Sequence, residues 1–325
     1  MKKRKDVYCD LGFWQNLSGK LSKAKITPDP VECKRIQILL DWYEFLSRSN
    51  LIFDCSIADF ENAVKDDLFL QYIMRHYPDS RGDLGFIHGS INKMFIGPAE
   101  MSVNMYSSLF LTQSDHKEEA MRVGVININN EELYSHIELF NDKGDAIKQS
   151  TITDWKQILQ SNKVPHNCNS MVIVDNYIFD KVDDNLYKVL DALLPHKLET
   201  TFYLTVFSIN EGNETYFESK KLSLETKLKE IRPELNVSLE VFENSSNEFH
   251  DRSIITNYMW VGIGAGFNLI NRHKADKSTE LHVVYPMIVS EDRINWGCER
   301  YQMLIDDAKK CLNKRNKHSN NRLLR

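Results

Sequence analysis

The chain has 325 residues and a mass of 37.9 kDa, which at roughly 100 to 200 residues per domain gives an expectation of two domains. With 42% hydrophobic and 27% charged residues, the composition excludes disordered, collagen-like and low-complexity classes. No apolar run reaches the length of a membrane span, so no transmembrane segment is expected. The opening MKKRKDVYCDLGFW lacks the apolar stretch of a signal peptide, and a cytoplasmic protein is the expectation.

The six cysteines (Cys9, Cys33, Cys55, Cys168, Cys298, Cys311) form no C-x-x-C pair and have mostly apolar neighbours, which points to buried free thiols. The net charge of −5 does not mark the whole molecule as a polyanion binder. The ends differ from the average. Met1 to Lys5 carries four cations, and Lys309 to Arg325 carries seven with no acid, so each end reads as a solvated terminus or a phosphate contact.

In chain order, VYCD at Val7 to Asp10 reads as a strand running into a helix with Leu11, Trp14, Leu17 and Leu21 on one face. A helix over Pro30 to Ser49, a buried strand at Leu51 to Ser56 and the helical IADFENAVKDDLFLQYIMRHY follow, and then the turn-rich PDSRGDLGFIHGS. SLFLTQSD is a strand, KEEAMRVG a helix closed by Gly124, and VINI another strand. Polar and turn residues between Asn129 and Asn169 place a border near 150, dividing the chain into 1–150 and 151–325. In the second part MVIVD, TTFYLTVFS and VSLEVFE are strands, with helices over VDDNLYKVLDALLP and SKKLSLETKLKEI; RSIITN, YMWVGIGAGF and the strand LHVVYP follow, before a helix from Asn295. Strands alternate with helices throughout, which is the signature of an α/β class in both halves.

The segment EFHDRSIITNYMWVGIGAGFN, Glu248 to Asn268, contains His250, Arg252, Asn257, Gly264, Ala265 and Asn268 at a distinctive spacing. It resembles the phospholipase D superfamily motif, His-x-Lys, four residues, Asp, six residues, Gly-Ser-x-x-Asn. Three positions match and three are substituted: Arg252 for Lys, Asn257 for Asp and Ala265 for Ser. The strand IVDNYIFD is similar to the opening strand of single-copy members, so the resemblance covers about residues 168 to 275.

Two residues apart on a strand, His250 and Arg252 aim at one face, so imidazole and guanidinium converge on one anion. The resemblance implies His250 as nucleophile on phosphorus, Arg252 as a bidentate phosphate clamp, Asn257 and Asn268 in the catalytic set, and Gly264 and Ala265 at a phosphate-binding turn. No cofactor is implied there. The second histidine that such chemistry requires would come from a homodimer. The substituted positions also occur in members that only bind phospholipid head groups, which keeps a non-catalytic module for nucleic acid or anionic phospholipid as the alternative.

Residues 7 to 130 resemble a PIN-type nuclease domain, in which acids at strand ends hold Mg²⁺ or Mn²⁺. VYCDLGFWQNL offers Asp10, SIADFENAV offers Asp59 or Glu61, and LFLTQSDHKEEAMRVGVINI offers Asp115, while the remaining acid is displaced to Glu100 or Asp83. Carboxylates suit hard divalent cations, which activate water and steady a leaving oxygen. Asp10 and Asp115 also precede helices, where they serve as N-caps. The expectation is therefore a two-domain nuclease, PIN-like and then phospholipase D-like, that cleaves or recognises nucleic acid phosphodiesters. A role in defence is an analogy from that pairing.

Overall fold

A computed structural model describes residues 6–24, 49–67, 70–71, 74–75, 84–87, 91, 105, 108–129, 167–176, 178, 184–209, 214–245, 248–249, 252–263, 270–271, 274–275, 281–284 and 295–325. The chain forms two compact units, Met1–Asn141 with Met287–Asn295, and Asp142–Pro286 with Trp296–Arg325. The expected border at 150 and the expected helix at 30–49 lie outside the described residues.

The first unit is a parallel sheet of β1 (Asp6–Cys9), β2 (Asn50–Asp54), β3 (Leu84–Ile87), β4 (Leu109–Thr112) and β5 (Ile126–Asn129), in the order β3-β2-β1-β4-β5. All four residues of β4 and of β5 are buried, as expected where helices cover both faces of a parallel sheet. Helices α1 (Leu11–Ala24), α2 (Ile57–Asp66) and α3 (Lys117–Val123) accompany it. Phe53 packs on Phe60 at 4.6 Å and on Trp14 at 6.2 Å, and Phe86 meets Phe60 at 5.3 Å. Burial of each such ring contributes about 1.5 to 3 kcal/mol. Gly124 closes α3 in the left-handed conformation at φ 72°, which lets Val125 turn directly into β5.

Strand β3 departs from expectation. Its residues, LGFI, sit in a segment whose Asp, Gly and Ser content reads as turn, yet they pair in register with Leu51 to Asp54 of β2. Tertiary pairing and the Phe86 ring overrode local propensity.

In the second unit, β6 (Ser170–Val174), β7 (Phe202–Ser208) and β8 (Val237–Glu243) are parallel. Strands β9 (Arg252–Thr256) and β10 (Trp260–Ile263) continue the sheet antiparallel on the other side of β6, with a two-stranded ribbon of β11 (Ile270–Asn271) and β12 (Lys274–Ala275) before β13 (Leu281–Val284). The six-stranded order is β13-β10-β9-β6-β7-β8. Its helices are α4 (Asp184–Leu193), α5 (Glu214–Ile231) and α6, which spans Asn295–Lys314. The buried Arg232 joins α5 to the end of α4: Nη1 donates to Asp191 Oδ1 at 2.5 Å, Nε donates to Leu194 O at 3.2 Å, and Nη2 donates to Asp191 O. Among the described residues no helix is long and apolar enough to cross a membrane.

The cationic C-terminus is not a solvated tail. Asn321 Nδ2 donates to Met171 O at 2.9 Å and to Thr205 Oγ1 at 3.1 Å, and Glu240 accepts from the Asn320 N–H at 2.8 Å and from the Ser319 hydroxyl. Arg322 lies over the Tyr203 ring at 4.9 Å, and Leu323 and Leu324 are buried. Lys310 pairs with Asp307, and Lys314 and Arg315 pair with Glu248. Intramolecular partners thus take up charge that the sequence pattern offers to phosphate. Deleting residues 319–325 should lower the unfolding free energy by about 3 kcal/mol, from two buried leucines and a buried amide. A urea titration of the truncated and full chains measures it, and coincident midpoints would mean that the tail is solvated.

Candidate functional site

In a sheet ordered β3-β2-β1-β4-β5, the chain builds outward from β1 to β3 and then returns to the other side of β1. Ligand crevices of open α/β sheets form at such a reversal, outside the carboxyl ends of the strands. Asp10 stands there, immediately after β1. Its N–H donates to Leu111 O of β4 at 3.1 Å. Its Oδ1 accepts the Phe13 N–H at 2.6 Å, the N-cap role for α1, and its Oδ2 accepts the Gln113 N–H at 2.8 Å.

Burial pushes the Asp10 carboxyl up. The Gln113 and Phe13 N–H groups pull it down, the Asp54 charge pushes it up again and His116 opposes that, with a net rise above the ordinary carboxylate range. Asp54, at the end of β2, accepts the Ile91 N–H at 3.0 Å. Sequence reading did not single it out, although LIFDCS ends a buried strand in an acid just as VYCD does. The loop after β4 is shaped by Asn127, whose Oδ1 accepts the His116 N–H at 3.2 Å and whose Nδ2 donates to Thr112 Oγ1 at 2.7 Å.

The other expected acids have different surroundings. Asp59 lies in the first turn of α2, bound to its N-cap Ser56: the Asp59 N–H donates to Ser56 Oγ at 3.0 Å, and Ser56 Oγ donates to Asp59 Oδ2 at 2.6 Å. Its charge, with that of Asp54, reaches Cys55. Glu61 is exposed on α2, and Asp115 is exposed with Oδ1 accepting the Lys117 N–H at 2.9 Å. Glu100 and Asp83 lie outside the described residues. Burial raises the Cys9 thiol well above its usual value and the Cys55 thiol to about 11, so both are neutral thiols rather than thiolate ligands near pH 7.

Among the described residues no three His, Cys, Asp or Glu side chains converge as a closed metal cage. Asp10 and Asp54 are two carboxylates whose charges act on one another. A carboxylate has about four acceptor positions, and Mg²⁺ is commonly held by one or two carboxylates together with water and substrate phosphate.

The second unit reverses strand order between β6 and β9. Asp175, immediately after β6, is buried and accepts from Arg252 Nε at 3.2 Å, while Arg252 opens β9 with 27% of its side chain exposed. Asn176 Nδ2 donates to Phe249 O at 3.2 Å, and Asn244 Nδ2 donates to Asn176 Oδ1 at 2.6 Å. His250, Gly264, Ala265 and Asn268 lie outside the described residues.

Glu248 is held by Arg315, which directly follows α6. Glu248 accepts two bonds from Arg315, at 3.0 and 2.9 Å, and one from the Ser245 N–H at 2.9 Å. Burial works to raise its carboxyl, but the Arg315 bonds, the Ser245 N–H and the Arg315 charge win and hold it down to about 2.

Asn257, expected in the catalytic set, is fully buried and clips β9 to the start of β6. Its Oδ1 accepts the N–H groups of Asn169 and Ser170 at 3.0 and 2.9 Å, and its Nδ2 donates to Asn169 Oδ1 at 3.1 Å. Both polar atoms of this amide are engaged by Asn169 and Ser170. Tyr301 of α6 secures the same hairpin, donating its hydroxyl to Thr256 O at 2.8 Å.

No protein-family model matches the chain, and no curated protein matches it.

Two consequences are measurable. Because the folded-state value of Glu248 is depressed, its stabilisation is full above the ordinary carboxylate value of 4.5 and is lost as pH falls from there toward 2. The loss should be about 2 kcal/mol, and Glu248→Gln should flatten that part of a stability-versus-pH curve. Asn257→Ala strands two buried N–H groups and should cost about 2 to 5 kcal/mol in chemical denaturation, with an unchanged midpoint contradicting the clip.

Proposed function

We propose that this chain is a phosphodiesterase acting on nucleic acid, with its chemistry at the carboxyl edge between β1 and β4 and its second unit gripping the polymer by its phosphates. The observation that carries the reading is Asp10: a half-buried carboxylate at the strand reversal, raised above its ordinary range by desolvation and by the neighbouring Asp54 charge. Groups perturbed in this way in a crevice mark functional sites. A cation between the two would lower the electrostatic cost that now raises Asp10.

Asp10 and Asp54 are the residues that would hold Mg²⁺ or Mn²⁺, and the ion would lower the pKa of its water and neutralise charge on the phosphate. Asp10 is fixed for this purpose by the Phe13 and Gln113 N–H groups, which stop its carboxylate from rotating. His116, whose charge acts on Asp10, is the nearby group able to hand a proton to the leaving oxygen. Asp59, Glu61 and Asp115 supply negative charge on the same unit rather than the primary ligands. The PIN-like reading of this unit rests on Asp10 after the first strand, acids on the first turn of α2 and Asp115 after β4.

A second reading concerns the phospholipase D-like unit and is favoured by the Asp175–Arg252 pair. A guanidinium oriented by a buried carboxylate is preorganised to receive an anion, but its charge is partly answered already. With Asn257 engaged by backbone, the motif of His250, Arg252 and Asn268 with Gly264 and Ala265 then serves recognition of phosphate on nucleic acid or anionic phospholipid, without turnover. Under the rival catalytic form, His250 would attack phosphorus and a homodimer would bring a second His250 to protonate the leaving oxygen.

Incubation of the full chain with fluorescent single- and double-stranded DNA and RNA separates these readings. Cleavage should require Mn²⁺ or Mg²⁺, stop in EDTA, and fall about a hundredfold in kcat with Asp54→Asn, which keeps an acceptor for the Ile91 N–H. Arg252→Ala should raise KM roughly tenfold with kcat little changed. Cleavage that survives EDTA and disappears in His250→Ala would move the chemistry to the second unit. Absence of cleavage, with Arg252-dependent binding to nucleic acid or phosphatidylserine vesicles, would leave recognition alone.

A further inference from the structure

Strand β8 ends the second sheet, and its outer side is built to pair. The Phe202 N–H donates to Asn236 O and the Asn244 N–H donates to Ser208 O, so the even-numbered residues of this stretch turn toward β7. Val237, Leu239, Val241 and Glu243 therefore direct their backbone N–H and C=O groups away from β7; among the described residues no strand pairs with them, and the Glu243 carbonyl accepts the Cys311 thiol at 3.9 Å. Natural edges are commonly protected by proline, lysine, a bulge or short length. The strand VSLEVFE has seven residues, contains neither proline nor lysine, and keeps unbroken register with β7 from Val237 to Glu243.

A groove of about 680 Å³ runs beside this edge, lined by Leu228, Leu235, Val237 and Leu239 and by Glu225 and Lys229 of α5. Glu225 and Lys229 are one turn apart on the same helix face.

We propose that the outer edge of β8 pairs antiparallel with β8 of a second copy of this chain, joining two six-stranded sheets into one. Three features select a second copy over a foreign strand. The outward positions read Val, Leu, Val, so pairing centred on Leu239 sets Val237 opposite Val241 on both sides of the twofold, a favourable β-branched pair. Glu225 and Lys229 line the groove beside this edge, and a twofold copy presents the same two opposite charges in reversed order. The one acid at the centre of the strand, Glu240, is engaged by Ser319 and Asn320 of its own tail, which screens like-charge contact across the axis.

This interface has a consequence for the site. Strands β6 and β7 stand between β9 and β8, so two β9 strands would be seven strand spacings apart, roughly 34 Å at about 4.8 Å each. Two copies of the Arg252 motif joined in this way cannot share one phosphodiester. The β8 dimer carries two separate sites and excludes a histidine pair across the twofold.

Sedimentation equilibrium of the full chain tests the interface. The expected result is a species of twice the 37.9 kDa chain mass. Leu239→Lys should convert it to monomer with unchanged circular dichroism. Glu225→Lys should raise the dissociation constant about tenfold, and adding Lys229→Glu should restore it, a rescue that misfolding could not produce. A chain that stays monomeric at tens of micromolar, or a dimer indifferent to all three variants, overturns the proposal. A monomer that instead captures extended peptides at this edge overturns it as well. Nuclease activity is a separate readout, so loss of the dimer and failure of the catalytic reading can be told apart.

Discussion

A carboxylate taken out of water must be answered by donors or by a cation, and in both units this demand falls on the aspartate that follows the first strand of the sheet. Asp10 and Asp175 each continue the backbone ladder with their own N–H, to Leu111 O and Phe207 O, before the chain leaves the sheet. Asp175 is then buried and Asp10 half-buried, where desolvation is costly. The two units meet the cost differently. Asp10 receives backbone N–H groups from the start of α1 and the end of β4, whereas Asp175 receives the Arg252 guanidinium. Neutral donors leave Asp10 raised, and a cationic partner belongs to Asp175 already. A further cation is therefore better accommodated at Asp10, and an anion better accommodated beside Arg252.

The remaining polar network positions these two points. Asn257 and Tyr301 fix the β9–β10 hairpin, Arg315 holds Glu248, and Asn127 shapes the loop after β4. The C-terminal segment contributes from the opposite side, with Asn321 reaching strand carbonyls of both β6 and β7. Buried side-chain amides are costly unless satisfied, and this second unit uses several of them to specify one arrangement.

Much of the fold was legible in the sequence where periodicity was strong. VSLEVFE alternates through its first five residues and is β8 from its first residue to its last, and KEEAMRVG announces α3 and its glycine stop. Strand β3 was not legible, because four residues with a glycine among them become a strand only through β2 and the Phe53–Phe60 rings. Spacing located Asp10 and Arg252 but could not assign their partners, since Gln113 and Asp175 come from distant parts of the chain. Asn257 fits the motif spacing and clamps Asn169 and Ser170, a pairing that spacing along one strand does not reveal. The cationic tail shows the same limit, as its charges are met by Glu248, Asp307 and the Tyr203 ring.

The central claim is that the Asp10–Asp54 edge of the first unit takes a divalent cation whereas the Asp175–Arg252 edge of the second does not. Titration of Mn²⁺ into the full chain, following the paramagnetic resonance of the free ion, reads this directly. The parent should bind Mn²⁺, Asp54→Asn should weaken binding at least about tenfold, and Asp175→Asn should leave it unchanged. Binding indifferent to Asp54→Asn, or no binding at millimolar Mn²⁺, would contradict the account.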